Sequence, residues 1–242
     1  MLWIYDDPEK LAEAAAGLIV KHAQQAVNAK GKFSFVLSGG STPIKTYERL
    51  ASAPYRERFP WGYVDFFWGD ERVVPSQDSR NNAHQAREHF LDHVPVSEEQ
   101  IHAVPTHQTP AEAAIEYEAE IKKYFGAEEP SFDMILLGLG ENGHTASLFP
   151  DTPVLDEKER WVAEVYVAEQ DLWRVTMTAP LINRAALVAF LLQGEQKAGI
   201  LRAVLEGPYK PRELPVQLIK PDPGEILWLA DQAASSRITK KV

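Results

Sequence analysis

The sequence D-M-I-L-L-G-L-G-E-N-G-H-T-A-S-L-F-P, at residues 133–150, decides the fold and the position of a candidate site. Its apolar run at 134–137 is typical of a strand that is buried on both faces of a parallel sheet. Glycines follow, and His144 comes directly after the last of them. Open α/β sheets bind ligands beyond the carboxyl ends of their strands, and histidine is the usual acid/base group because its ordinary pKa lies near neutrality. We therefore expect His144 to lie in a ligand site; a turn with an incidental histidine is the alternative.

The glycines of this stretch, Gly138, Gly140 and Gly143, formally match the dinucleotide fingerprint G-x-G-x-x-G. That fingerprint must also open a helix that is long enough to cross back over the sheet. Here Pro150 follows only seven residues after Gly143, and helices seldom continue through proline. The sequence therefore argues against a nicotinamide or flavin site, and no cofactor is expected.

Length and composition limit the possible classes of protein. The 242 residues fit one large α/β domain or two small ones. No composition break, low-complexity tract or internal repeat appears, so we expect a single domain over 1–242. The chain has no cysteine, which excludes disulfides, thiolate nucleophiles and cysteine metal sites and fits a reducing cytoplasm.

Charge and hydropathy bear on location and partners. The first residues turn acidic at once and lack the basic and then apolar order of a signal peptide. The longest apolar run, 185–192, is far shorter than the ~20 residues that span a bilayer. A net charge of −10 argues against a broad nucleic-acid surface. It leaves room for a small anionic substrate, because a local basic cluster can lie within an acidic surface. We expect a cytoplasmic protein without nucleic-acid or membrane partners.

A second informative stretch, S-G-G-S-T-P at 38–43, follows the apolar run at 33–37 and precedes a helical pattern. Thr42 suits the N-cap of that helix and Pro43 its first position. A glycine turn between a strand and a helix binds anions through free backbone N–H groups and the helix dipole. The G-K-[ST] ending of a nucleotide P-loop is absent. The turn therefore predicts an anion site, and a capped turn without a ligand is the alternative.

Basic residues also follow buried strands. The strand at 64–68 runs into Asp70, Glu71 and Arg72, where either a structural ion pair or arginine recognition of phosphate would fit. Arg174 begins an alternating strand at 174–178. Lys197 lies in the first turn of a helix expected at about 195–205, where its charge opposes the helix dipole. Lys197 therefore either binds an anion or is a solvated surface lysine.

The remaining patterns complete an α/β fold. Repeated strand and helix signals predict a largely parallel sheet flanked by helices on both faces. Four polar strand ends, at 38–43, 69–72, 138–144 and 194–197, should gather at one edge. The other expected elements are strands at 2–5, 161–168, 186–192 and 226–230, and helices at 7–28, 82–91, 109–124 and 180–184, of which the first is capped by Asp7 and the third by Thr109 with Glu112.

No metal site is expected. His89 and His93 could share a helix face, but no third ligand of suitable spacing is visible.

Five stretches together resemble the signatures of the 6-phosphogluconolactonase family. They are S-G-G-S-T-P at 38–43, W-G-D-E-R-V-V-P at 68–75, L-G-L-G-E-N-G-H-T-A-S-L-F-P at 137–150, R-V-T-M-T-A-P-L-I-N at 174–183 and G-E-Q-K at 194–197. The resemblance covers nearly the whole chain. It implies the fold shared with glucosamine-6-phosphate isomerase/deaminase and ribose-5-phosphate isomerase. It also implies hydrolysis of 6-phosphoglucono-1,5-lactone in the oxidative pentose phosphate pathway, without metal or organic cofactor.

Resemblance and chemistry together assign roles to the site residues. His144 would act as general base for water, with Asn142 beside it, and a preorganised N–H group or a cation would meet the oxyanion. Lys197 and the turn that contains Gly140 and Gly143 are candidates for that second role. The phosphate would be held by Gly39, Gly40, Ser41, Thr42, Arg72 and Lys197, with help from Arg174.

Two positions depart from the family pattern. Asn142 stands where the family usually has aspartate, which bears on any role that needs a carboxylate beside His144. Asn81-Asn82 stands where Ser-Asn is usual, which bears on the support of the neighbouring loop.

Two other functions stay open at this point. One is a glucosamine-6-phosphate deaminase or sugar-phosphate isomerase, although such relatives carry tyrosine at the place of Arg72 and a glutamate shortly after their histidine. The other is a sugar-phosphate-binding protein without catalysis. We expect a small phosphorylated sugar lactone as the partner, and a monomer, with a homodimer as the alternative.

Overall fold

The computed structural model describes residues 1–239. Within that range the chain forms nine strands: β1 (Leu2–Tyr5), β2 (Phe33–Leu37), β3 (Val64–Trp68), β4 (Asp70–Arg72), β5 (Met134–Leu137), β6 (Val162–Val167), β7 (Leu172–Met177), β8 (Leu187–Leu192) and β9 (Glu225–Asp231). The same range contains eight α-helices: α1 (Pro8–Lys30), α2 (Ser41–Leu50), α3 (Tyr55–Arg58), α4 (Asn82–His89), α5 (Pro110–Phe125), α6 (Ala179–Ile182), α7 (Ala198–Glu206) and α8 (Gln232–Ser235).

The main sheet is parallel and has the strand order β1-β9-β8-β5-β2-β3. Every residue of β2, β5 and β8 is buried, and successive side chains of a strand point to opposite faces. Both faces of the sheet are therefore covered, and the predicted parallel sheet with helices around it is confirmed. The order reverses between β2 and β5, which places a ligand crevice beyond their carboxyl ends.

A second sheet, which the sequence did not predict, is antiparallel and has the order β4-β7-β6. Gly69 is the pivot between the sheets. Its N–H donates to the Leu37 carbonyl at 3.0 Å, and its own carbonyl accepts from the Met177 N–H at 2.8 Å. The next three residues, expected as a polar strand end, therefore form a strand of their own. This strand brings Arg72 directly opposite Arg174.

Most predicted helix signals are confirmed, with small shifts at the ends. Asp7 caps α1 by accepting from the Lys10 N–H at 2.7 Å, and the capping box of Thr109 with Glu112 begins α5. The helix α4 ends two residues before the predicted end at 91, because Phe90 leaves helical geometry to enter the core with no exposed surface. No helix within residues 1–239 is both long enough and apolar enough to cross a bilayer.

Candidate functional site

A cleft with a volume of about 330 Å³ lies beyond the carboxyl ends of β2, β5 and β8. It brings together all four polar strand ends that the sequence singled out, and residues of both sheets form its wall. The lining residues are 38–43, 70, 72, 82, 138–140, 144–146, 174, 191, 193, 196 and 197.

Nine of the eleven predicted site residues line this cleft: Gly39, Gly40, Ser41, Thr42, Arg72, Gly140, His144, Arg174 and Lys197. Asn142 and Gly143 lie outside its wall. Asn142 contacts the far side of the imidazole. Gly143 shapes the turn with a φ of 82°, and its carbonyl accepts from the Val216 N–H at 3.0 Å.

The glycine turn after β2 corrects the predicted start of α2. The helix begins at Ser41, and its N-cap is Gly40 rather than Thr42, so Pro43 is the third helical residue instead of the first. Gly40 has a φ of 104°, a conformation that glycine adopts easily and other residues rarely do. The missing N–H of Pro43 costs nothing there, because N–H groups of the first turn have no partner within the helix. The N-cap carries no side chain, so no side-chain cap covers the first N–H groups that face the cleft.

The imidazole of His144 is held on three sides. Its Nδ1 lies 2.6 Å from Oδ1 of Asn142. Because an amide oxygen can only accept, Nδ1 carries the proton and Nε2 keeps its lone pair. Phe149 stacks on the ring with centroids 4.1 Å apart and planes 20° apart. On another side, a Cβ at Gly140 would lie 2.0 Å from Nδ1, so only glycine fits there.

This environment keeps His144 neutral. The pKa of its imidazole is lowered to about 4, mainly by burial; the carboxylate of Asp70 opposes this change, and the positive charges of Arg174, Lys197 and Arg72 contribute to it. At neutral pH the imidazole is therefore uncharged, and its Nε2 can accept a proton.

Three cations face the cleft. Arg72 and Arg174 are cross-strand neighbours, and like charges in that position are destabilising. The Nε atoms of Arg72 and Arg174 are both buried, and neither has a hydrogen-bond partner within residues 1–239. Burial, and then the charge of Arg72, lowers the pKa of Arg174. Burial also lowers the pKa of Lys197, which forms no ion pair with any residue in 1–239. An arrangement of this kind is expected where an anion is to be bound.

A buried network behind the cations was not predicted. Oδ2 of Asp70 accepts from Ser147 Oγ at 2.5 Å and from Nη1 of Arg174 at 3.4 Å. The same arginine donates from Nη2 to Oε1 of Gln170. The pattern D-E-R left open a structural ion pair beside Arg72; the carboxylate of Asp70 pairs instead with Arg174 on the neighbouring strand β7. Neither Ser147 nor Gln170 was predicted in this role, because both contacts depend on how the two sheets meet.

The two asparagines after the D-E-R loop support α4. Asn81 is the N-cap and accepts from the His84 N–H at 2.8 Å. Serine and asparagine are comparable N-caps, so the departure from Ser-Asn keeps this function. The Nδ2 of Asn82 donates to the Asp70 carbonyl at 2.9 Å.

The rings of His89 and His93 turn to separate partners. His89 contacts Glu48, and His93 contacts the Glu88 carbonyl. Residues 1–239 contain no group of three His, Cys, Asp or Glu side chains suited to a metal ion.

Comparison with known proteins decides the family. The model of a family described as glucosamine-6-phosphate isomerases/6-phosphogluconolactonase matches residues 6–228. The chain belongs to this family. Over 233 residues it is 40% identical to a 6-phosphogluconolactonase from Synechocystis sp., with 94% of each chain covered.

Solved structures of family members share the fold. The structure described as 6-phosphogluconolactonase from Trypanosoma cruzi is 26% identical, with a TM-score of 0.88 and coverage of 99% of this chain and 97% of that one. A monomeric glucosamine-6-phosphate deaminase has a TM-score of 0.84 at 20% identity, with 98% of this chain and 99% of that chain covered. At that identity the likeness concerns the fold alone, so the fold does not separate the two activities.

Proposed function

We propose that this protein hydrolyses 6-phospho-D-glucono-1,5-lactone to 6-phospho-D-gluconate, a step of the pentose phosphate pathway. One observation carries the proposal: the uncharged imidazole of His144 shares a single cleft with Arg72, Arg174 and Lys197. The histidine suits activation of water, and the cations suit a phosphorylated substrate. The 40% identity to a cyanobacterial 6-phosphogluconolactonase supports the lactone as that substrate.

The proposed reaction begins when Nε2 of His144 takes a proton from water as the water oxygen bonds to C1 of the lactone. Charge then builds on the carbonyl oxygen, where Lys197 or the N–H groups of the turn at 138–143 would stabilise it. As the oxyanion collapses, the bond between C1 and the ring oxygen breaks. The imidazolium returns its proton to that oxygen, which becomes the C5 hydroxyl, so His144 ends neutral.

Asn142 fixes the tautomer that this step needs. Its amide oxygen accepts the Nδ1 proton, which leaves Nε2 free to act as the base. An amide does not supply the negative charge that the family's usual aspartate would supply to the imidazolium. His144 is therefore a competent base, but a weaker one.

Phosphate binding would position the lactone for attack. The guanidinium groups of Arg72 and Arg174 and the uncapped start of α2 offer N–H donors along the cleft. Binding of the phosphate, which is remote from C1, holds C1 in place, and such positioning lowers the barrier to attack by water. We place Arg72, Lys197 and the turn at 39–42 in this role, with Arg174 held nearby by Asp70.

Two assays run side by side test the proposed activity. The purified protein is given the phosphorylated lactone, with acid release recorded, and glucosamine 6-phosphate, with ammonia release recorded. We expect saturable acid release and no ammonia. Ammonia release would favour the deaminase, and binding without either product would favour a non-catalytic sugar-phosphate-binding protein.

We also propose that the protein acts as a cytoplasmic monomer. The base and the three cations of the cleft all belong to the same chain, and the absence of cysteine suits a reducing compartment. Light scattering coupled to size-exclusion chromatography should give a mass near 27.1 kDa. A mass of twice that value would show a dimer.

Substrate binding should raise the pKa of His144. Burial is the main cause of the low pKa in the free protein and the three cations add to it; a bound phosphate would offset the charge of the cations. The fall of kcat at low pH reports the pKa of the base in the enzyme–substrate complex, and the fall of kcat/KM reports its pKa in the free enzyme. The midpoint of the fall in kcat should therefore lie at a higher pH than the midpoint of the fall in kcat/KM. Equal midpoints would show that the phosphate does not lie near these cations.

Replacement of Asn142 by aspartate should preserve or increase activity. A carboxylate at 2.6 Å from Nδ1 would favour the imidazolium, so the acid limb of kcat/KM should move from about pH 4 to a higher pH. An opposite charge at this distance changes a pKa by about 1–3 pH units. Lower activity with an unmoved acid limb would mean that residue 142 only shapes the turn.

A further inference from the structure

Glu71 is a fully buried carboxylate directly beneath the cleft wall. It is the middle residue of β4, has no exposed surface and does not line the cleft. Burial raises the pKa of its carboxyl group to about 7, although three backbone N–H groups favour the ionised form. A buried carboxylate is costly unless it is hydrogen-bonded. Its partners therefore indicate what it does.

The carboxylate closes the loop formed by residues 73–81. The chain leaves β4 at Arg72 and re-enters regular structure at Asn82, and Oε1 accepts from both N–H groups, at 2.8 and 2.7 Å. Oε2 accepts from the Ala83 N–H at 2.8 Å. The negative charge also lies at the start of α4, where the helix dipole stabilises it.

The closed loop fixes the side chain of Arg72. Its Nη1 donates to the carbonyl of Arg80 at 2.8 Å, so the last part of the loop positions the guanidinium. Opening the loop would remove this contact and leave a long, flexible side chain without an anchor.

The residue that directly follows the loop supports the glycine turn. Oδ1 of Asn82 packs so closely on Gly39 that a Cβ there would lie 1.9 Å from it. The amide is oriented by its hydrogen bond to the Asp70 carbonyl. A shift of Asn82 would therefore move the turn at 39–42.

We propose that Glu71 is a positioning residue for the phosphate group of the substrate. By holding both ends of the loop at 73–81 it places Arg72 directly and the turn at 39–42 through Asn82. It does so without contacting the substrate. This inference rests on the proposed function, because it takes these groups to hold the phosphate.

The test is the variant Glu71→Gln, which keeps the size of the side chain but turns one acceptor oxygen into an amide that faces a backbone N–H. We expect KM for the phosphorylated lactone to rise about tenfold, the scale of one lost charged hydrogen bond. The kcat value should stay within about twofold, because His144 is not attached to this loop. KM for unphosphorylated gluconolactone should not change.

A matched control separates positioning from general loss of stability. Asp133 also accepts backbone and hydroxyl hydrogen bonds, from the N–H and Oγ of Ser34 at 2.8 and 2.9 Å, at the opposite end of the sheet. Asp133→Asn should lower the melting temperature and leave both KM values unchanged. If Glu71→Gln does not fold, Glu71→Asp, which keeps the charge but is one methylene shorter, should show a smaller rise of the same KM.

Calorimetric titration with inorganic phosphate and with 6-phosphogluconate needs no turnover. At pH 8, Glu71→Gln should bind both more weakly than the wild type, even if the wild type does not hydrolyse the lactone. Unchanged phosphate affinity, or equal weakening for phosphorylated and unphosphorylated lactones, would overturn the positioning role and leave Glu71 as a stabilising residue only. Absence of lactone hydrolysis with intact phosphate binding would instead refute the proposed function.

Discussion

Replacing His144 by alanine is expected to lower kcat for lactone hydrolysis by roughly 10²–10⁴-fold, the usual contribution of general base catalysis. The reason is its environment: burial keeps the imidazole neutral, and Asn142 holds the proton on Nδ1. KM should change little, because other residues are proposed to bind the phosphate. Steady-state kinetics with the phosphorylated lactone measures both values.

A second histidine provides the control for this experiment. His107 is exposed and lies outside the cleft, so His107→Ala should keep the wild-type kcat. Both variants should unfold cooperatively near the wild-type melting temperature. Near-wild-type turnover by His144→Ala would remove this histidine from the mechanism.

Removal of either proposed phosphate-binding cation should give the next largest effect. Arg72→Ala and Lys197→Ala should each weaken binding of phosphorylated ligands by about 10–100-fold, since a charged hydrogen bond contributes roughly 1.5–3 kcal/mol. Binding of unphosphorylated gluconolactone should change far less. Titration of each variant with 6-phosphogluconate and competition by unphosphorylated gluconolactone provide the comparison.

The charge-matched control is Lys158→Ala, at an exposed position outside the cleft. It should bind phosphorylated ligands as the wild type does, because an exposed charge outside the cleft is screened by salt. If Arg72→Ala and Lys197→Ala weaken both lactones equally, these residues do not recognise phosphate.

The parallel sheet was predictable because its signals are local. The apolar run at 134–137 and the glycines after it lie within a few residues of each other, and their meaning depends on periodicity and turn chemistry. The same holds for the cap at Asp7 and the capping box at Thr109. Because carboxyl ends of parallel strands meet at one edge, these local predictions were enough to place most of the cleft.

The parts that were missed depend on contacts between distant segments. Asp70 lies 104 residues from Arg174 in sequence, and their pairing follows from a second sheet that starts at the pivot Gly69. The stacking of Phe149 on His144 carries no sequence signal, because an aromatic residue near a turn is usually part of the core. The N-cap of α2 was misplaced because Thr42-Pro43 is a good local start, whereas the fold uses the positive φ of Gly40.

The central claim is that His144 directs water to C1 of a phosphorylated lactone, and hydrolysis in ¹⁸O-labelled water tests it most directly. Mass spectrometry of the product should find one label in the carboxylate, formed at a rate that saturates with lactone and falls to near the spontaneous rate with His144→Ala. Label at the C5 hydroxyl, or a product rate equal to spontaneous hydrolysis with the wild-type protein, would contradict the account.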